Sequence, residues 1–302
     1  MSTIGRSERA WLSLDGLSVG DAFGERFFGP PEDAVRRIVN RERPEAPWAY
    51  TDDTEMALSV VEVLQERDTI DQDALASRFA IRMQLGRGYG QGTYAILRAV
   101  REGGNWRALT QAGFRRMGSF GNGAAMRVAP LGGFFAEEPL DLICEQARLS
   151  AEVTHLHPEG VAGAVAVAVA AALAWREREK EGPLGQDWIK AVRDSVPAGY
   201  TRDAIDEALA IPMETSVDTA ASVLGNGSAV TAPDTVPLCL WVAARRSDHF
   251  EEALWEMVSA LGDRDTTCAI VGGILALKVG RNGIPQEWLR AREVLPLEPR
   301  GK

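Results

Sequence analysis

Residues 51–54, Thr-Asp-Asp-Thr, set two adjacent carboxylates between two hydroxyls, directly ahead of an apolar-periodic stretch. Far along the chain, residues 262–267 read Gly-Asp-Arg-Asp-Thr-Thr and repeat the theme with aspartates one residue apart. Hard divalent cations favour oxygen ligands. Crowded aspartates are costly unless a cation neutralises them. If the two clusters meet, Asp52, Asp53, Asp263 and Asp265, with the hydroxyls of Thr51 and Thr266, form an all-oxygen set suited to two cations a few ångströms apart. Helix capping explains the same letters, because Asp and Thr ahead of an apolar run are common N-caps. Spacing alone leaves both readings open, and one helix start can serve both.

Two histidines, His155 and His157, stand two apart ahead of an apolar run. Without a third histidine nearby, His155 reads better as a hydrogen-bond donor to a substrate than as a metal ligand. An ordinary loop histidine fits the spacing as well. No Ser-His-Asp order or nucleophile elbow is visible. Four glycine-rich stretches, 20–31, 86–92, 118–133 and 224–237, separate helical patterns. Glycine lets a backbone approach a ligand closely, and amides at helix starts suit phosphates. Each stretch alone is equally turn chemistry; together they point to a nucleotide-like ligand. There is no Walker motif and no strand–GxGxxG–helix unit.

The elements that must carry these residues are helical. Alternating β-branched runs are few and helical spacing recurs. Helices are expected near 8–20, 54–67, 92–102, 139–152, 158–180, 202–211, 235–246, 248–261 and 266–280. Another is expected after Asp71 or Asp73, with Leu75, Phe79, Ile81, Met83 and Leu85 inward. Residues 30–48 read as a surface loop. The run 160–175, rich in Ala, Gly and Val, reads as a tightly packed buried helix rather than a membrane span. With 302 residues and no linker or composition shift, one domain over 1–302 is expected.

The formal net charge of −10 argues against a broad nucleic-acid surface. Cys144, Cys239 and Cys268 are too scattered for a disulfide framework or a cysteine-based zinc site, and read as small buried hydrophobes. The N-terminal residues lack the apolar core of a signal peptide, so the expected location is cytoplasmic and the Asn226-Gly227-Ser228 sequon is discounted.

Taken in order, these segments resemble the ADP-ribosylglycohydrolases along nearly the whole chain. GLSVGDAFGERFFG is similar to that family's N-terminal Gly-Asp segment, and YTDDTEMALSV to its first metal motif. GRGYGQGT, SFGNGAAMRVAPLG, THLHPEGVAGA and LGNGSAVTAPDTVPLCLW follow, and LGDRDTTCAIVGG resembles its C-terminal metal motif. The resemblance implies an all-α, single-domain orthogonal bundle of many helices around a central cleft with a dinuclear Mg²⁺ or Mn²⁺ centre. It implies that Thr51, Asp52, Asp53, Asp263, Asp265 and Thr266 are the metal ligands. Gly90, Ser119, Phe120, Gly121, Asn122, Gly123 and His155 would contact the distal ribose and diphosphate. The segment from Gly225 to Ser228 would lie near the adenine. The implied reaction is hydrolytic release of ADP-ribose from a modified protein or small molecule, with nucleic acid only as a modified acceptor. A non-catalytic member of the same fold, acting as a binding or immunity protein, is the rival from another class.

Two departures affect the chemistry. Arg264 stands between the second pair of aspartates, where the family usually has Thr, Asn or Ser. Phe28 stands where several relatives have a glutamate, four residues after Gly24. Proton transfer is therefore expected from Asp52, Asp53 or Glu25, the last in the same glycine-rich stretch.

Overall fold

A computed structural model describes residues 4–296. Among them lie sixteen α-helices and three short 3₁₀ turns, with no strand. In chain order the first eight are α1 (Arg6–Glu25), α2 (Pro31–Val39), α3 (Asp52–Arg67), α4 (Gln72–Arg82), α5 (Gln91–Arg101), α6 (Trp106–Ala112), α7 (Ala129–Phe134) and α8 (Leu140–Glu152). The rest are α9 (Pro158–Arg176), α10 (Gly185–Asp194), α11 (Tyr200–Ala210), α12 (Val217–Leu224), α13 (Ala232–Arg245), α14 (Phe250–Ser259), α15 (Arg264–Val279) and α16 (Gln286–Ala291). One contiguous hydrophobic core joins them.

The central contact is the antiparallel pair α1 and α15. Gly16 faces Gly272, Gly20 faces Cys268 and Gly24 faces Arg264, and at each glycine of α1 an added Cβ would overlap the opposing carbonyl. Spacing of four puts these glycines on one face of α1. The absence of side chains there lets the two backbones meet and sets their register. That register brings the C-terminal turn of α1 beside the N-terminal turn of α15, which carries the second acidic cluster. Residues 20–25 are thus helix rather than loop, and two of the glycines read as ligand-approach positions serve helix packing instead.

Glycines at 132 and 133 act alike. Gly132 of α7 packs against the Ala168 carbonyl of α9, so much of the expected 118–133 connection is a short buried helix. Residues 31–39 also form a helix, with Ala34 and Ile38 inward, where a surface loop was expected. The apolar run is confirmed as core. The α9 helix is long and apolar enough to cross a membrane, yet 83% of its apolar stretch is buried within the fold. In α4 the periodic reading extends too far. The helix stops at Arg82, and Ile81 and Leu85 are 72% and 83% exposed, while Leu75, Phe79 and Met83 are buried. Cys239 and Cys268 are buried and Cys144 only partly so; all three are free thiols.

A cluster of Phe23, Phe27, Trp48, Trp255 and Trp288 encloses the far side of α1's last turns, with Phe23 stacked on Trp288 at 4.4 Å between centroids. Backbone bonds Trp48 N–H to Ala291 O (2.6 Å) and Glu293 N–H to Trp48 O (2.8 Å) tie the segment entering α3 to the end of α16.

Candidate active site

Both acidic clusters sit at helix starts, and both helices open into one cleft of about 590 Å³. Partial positive charge at a helix start stabilises carboxylates there. Thr51 is the N-cap of α3, and its hydroxyl accepts from the Asp53 N–H at 3.3 Å. Asp52 and Asp53 follow in the first turn and make no capping bond. Asp263 occupies the N-cap position of α15 but makes no side-chain cap bond. Its Oδ2 instead accepts from Asn122 Nδ2 at 2.7 Å. Capping therefore accounts for Thr51 and leaves the four aspartates unexplained.

Their electrostatics are unresolved within the protein. Asp53 Oδ2 and Asp265 Oδ1 are buried without a hydrogen-bond partner, one from each cluster. Burial, then the neighbouring carboxylates, holds both acids well above the ordinary aspartate range. Burial and Asp21 push Asp52 up to about 8. Among the described residues no three His, Cys, Asp or Glu side chains are already gathered as a metal cage. The aspartates share a cleft without forming a finished ligand set.

Asp21 of α1, unassigned on sequence, underlies the first cluster. Its carboxylate accepts the Thr51 N–H (3.0 Å) and hydroxyl (2.9 Å), and the N–H and hydroxyl of Thr54. It thereby clamps the start of α3 onto α1. Burial raises it to about 6 despite these four donors. The available signal was the Gly20-Asp21 step of the N-terminal Gly-Asp segment, which places a carboxylate among small and apolar residues.

Of the residues singled out on sequence, Asp52, Asp53, Gly90, Ser119, Phe120, Gly121, Asn122, Gly123, His155, Asp263, Asp265 and Thr266 line this cleft. Thr51 lies just beneath it, buried against Asp21. Glu25, Gly225 and Ser228 do not line it. Glu25, the last residue of α1, is held above the usual glutamate range by burial and Asp21, while Arg26 and Arg264 pull the other way. Gly225 ends α12 at φ +81 and packs against Asp234. Ser228 is exposed and donates its N–H to Asn226 Oδ1. This stretch braces the second cluster, since Asn226 O accepts from Asp263 N–H at 3.1 Å. Only its continuation, Ala229, Val230 and Thr231, reaches the cleft.

The loop at 119–123 is also partly committed. The Gly121 N–H donates to Ser119 Oγ at 3.2 Å and the Asn122 N–H to Val230 O at 3.3 Å. Asn122 itself is a brace, bonding Thr235 and Asp263. His157 caps α9 by accepting from Glu159 N–H, so it serves as a structural cap. Arg264 points away from the cleft, donating to Phe27 O at 3.0 Å and lying over the Phe28 ring at 4.4 Å. Sequence reasoning missed Phe114, which lines the cleft with Phe120; each ring is 43% exposed. Among the described residues, no lysine or arginine lines the cleft.

A family model described as ADP-ribosylglycohydrolase matches residues 2–298. An uncharacterized protein of Archaeoglobus fulgidus is 32% identical, over 91% of this chain and 88% of its own. The human ADP-ribosylhydrolase ARH3 is 29% identical, over 83% of this chain and 76% of its own. A solved structure titled ADP-ribosylglycohydrolase-related protein complex superposes with a TM-score of 0.66 at 27% identity, covering 95% of this chain and 93% of that one.

Proposed function

The chain belongs to the ADP-ribosylglycohydrolase family, and from that premise we propose that it is a divalent-metal-dependent hydrolase releasing ADP-ribose from a modified acceptor. The bond broken is the one at C1″ of the distal ribose, and a protein side chain is the favoured acceptor. The observation that carries this reading is the pair of orphaned buried oxygens, Asp53 Oδ2 and Asp265 Oδ1, contributed to one cleft by separate helix starts. Unpaired buried carboxylates are expensive, and an all-oxygen donor set fits Mg²⁺ or Mn²⁺.

Two cations would be held by Thr51, Asp52, Asp53, Asp263, Asp265 and Thr266. Bound there, they would supply Lewis-acid stabilisation of developing charge and a handle for the ribose hydroxyls. The remaining work belongs to the chain. The exposed faces of Phe114 and Phe120 are the cleft's flat aromatic surfaces and suit the adenine by stacking. This assignment replaces the segment from Gly225 to Ser228, which lies behind Asp263. His155 donates to a ribose or phosphate oxygen. Asp52 and Asp53 line the cleft and Glu25 does not, so the proton transfer is assigned to one of these two aspartates, with Glu25 an electrostatic neighbour.

The test is incubation with acceptors ADP-ribosylated on arginine, on serine, at a nucleic-acid end and on a small molecule. Each is run with Mg²⁺, with Mn²⁺ and with chelator, and free ADP-ribose is quantified by chromatography. Release from at least one acceptor, abolished by chelator, is expected. ADP-ribose binding without release from any of them overturns the hydrolase reading in favour of a non-catalytic binder.

A further inference from the structure

Behind the cleft lies a buried cation that the proposed chemistry does not use. Arg127 is fully buried, and among the described residues no carboxylate pairs with it. Its guanidinium donates to Gly123 O (2.9 Å), Ser150 O (2.9 Å) and Thr154 Oγ1 (3.0 Å), and lies 4.7 Å from the Phe79 ring centroid. A buried charge without an ion pair is costly. Capping the end of α8 through Ser150 O needs no arginine, so the contact with Thr154 is the informative one.

Thr154 Oγ1 lies 2.7 Å from His155 Nδ1. A guanidinium can only donate, and a hydroxyl has one proton to give. Oγ1 accepts from Arg127, and among the described residues the hydroxyl has no other acceptor than Nδ1. The reverse arrangement, Nδ1–H donating to Oγ1, would point two donors at one oxygen and strand its proton in a buried place. Nδ1 therefore carries the lone pair, and the proton of the neutral ring sits on Nε2. That edge faces the ligand loop: a Cβ built on Gly121 or Gly123 would lie 3.3 or 3.1 Å from Nε2.

We propose that Arg127, acting through Thr154, is a positioning residue that locks His155 as the neutral Nε2–H tautomer and so supplies the cleft with a fixed hydrogen-bond donor. The lock matters because, among the described residues, no lysine or arginine lines the cleft. An anionic diphosphate must be met there by neutral donors and by whatever cations the aspartates hold. A ring in the other tautomer would turn a lone pair towards it. Arg127 is the charged group bearing on the ring; from α9, Glu159 commits its carboxylate to the Tyr200 and Thr201 N–H groups. Burial and Arg127 push the imidazole down to about 3, which keeps the donor neutral at physiological pH. The purpose assigned to the lock rests on the ADP-ribose reading; the lock itself does not.

The chain has three histidines, so ¹⁵N-histidine labelling resolves them all. Long-range ¹H–¹⁵N spectra of the full chain between pH 5 and 9 should show His155 with the Nε2–H pattern and no titration. Its signals are assigned by their loss in His155→Gln. Thr154→Val should shift the pattern towards the other tautomer and weaken ADP-ribose binding about tenfold, the cost of roughly one lost hydrogen bond. Thr154→Ser should restore both. A wild-type ring that is Nδ1–H, or that titrates near the ordinary histidine value, overturns the proposal, as does an unchanged pattern in Thr154→Val. If Thr154→Val does not fold, the wild-type spectrum decides alone. These spectra require neither ligand nor turnover, so a protein that releases no ADP-ribose leaves this test intact.

Discussion

The two ends of the α1–α15 pair carry cavities of similar size and opposite character. At the end formed by the start of α1 and the finish of α15, about 550 Å³ is lined by Trp11, Leu12, Trp175, Leu277 and Val279 with charged side chains of both signs at its edge. Those charges are satisfied. Lys278 donates to the Glu177 and Lys180 carbonyls and lies 3.6 Å from Asp248, and Arg178 stacks on Trp175 at 3.8 Å. At the other end, about 590 Å³ is lined by four aspartates and by glycines, with carboxylate oxygens buried and unpaired. Volume does not distinguish the two. The difference is that one end pairs its charged groups internally, leaving unpartnered only the neutral indole N–H groups of Trp11 and Trp175, whereas the other leaves buried carboxylate oxygens for a ligand to settle.

The strongest way to break this contrast is to remove the unsettled charge. Asp53→Asn and Asp265→Asn should each lower turnover on the order of 10³-fold, the scale of several kcal/mol of lost charge stabilisation. Each should also make the cation-free protein more heat-stable, because a crowded carboxylate is gone. Turnover assays paired with thermal melts in chelator check both; a melt that falls in chelator would place the aspartates in an already neutralised network.

The pH dependence of the cation-free protein sharpens the same point. Asp52 and Asp21 stand at about 8 and about 6 in the folded protein, against 3.8 ordinarily. Between about pH 4 and pH 8 the folded state therefore holds more protons than the unfolded one, and stability falls as pH rises. Melting temperature in chelator should drop across that window, part of the drop coming below pH 6. It should flatten with Mg²⁺ or Mn²⁺, and become shallower in Asp52→Asn while the part due to Asp21 below pH 6 persists. A flat profile in chelator contradicts the crowding argument.

Glu25→Gln tests where the acidic region ends. Because Glu25 stands beside the cleft rather than in it, turnover should fall less than tenfold and the acidic limb of the pH–rate profile should persist. A loss on the order of 10²-fold, the usual cost of a missing general base, would return the proton transfer to Glu25. The smallest functional effect is expected at the opposite end. Leu277→Ala should cost about 2–5 kcal/mol of stability, yet leave ADP-ribose affinity within twofold by calorimetry.

Much was legible in one dimension. Helical periodicity marked ten of the helices, and the two Asp/Thr clusters announced themselves because carboxylates and hydroxyls before apolar runs have few explanations. The helices that escaped are short or partly glycine-rich. In α7 the glycines that suggested a loop are there to let α9 approach at Gly132 and α1 at Gly133, a reason visible only when the partner helices are known. The same holds for Gly20 and Gly24, whose role is defined by carbonyls on α15.

What the residue order determined by itself is local: which segments coil, where each helix starts, and that aspartates sit at two of those starts. Tertiary structure decided which distant groups share one space. The glycine face of α1 fixes the register against α15 and brings the acidic starts together. Burial sorts similar letters into different roles, making Asp21 a clamp, His157 a cap and His155 a cleft-lining ring backed by Thr154 and Arg127. Such roles depend on desolvation and on partners far away in the chain, and neither is a property of a residue's neighbours in sequence.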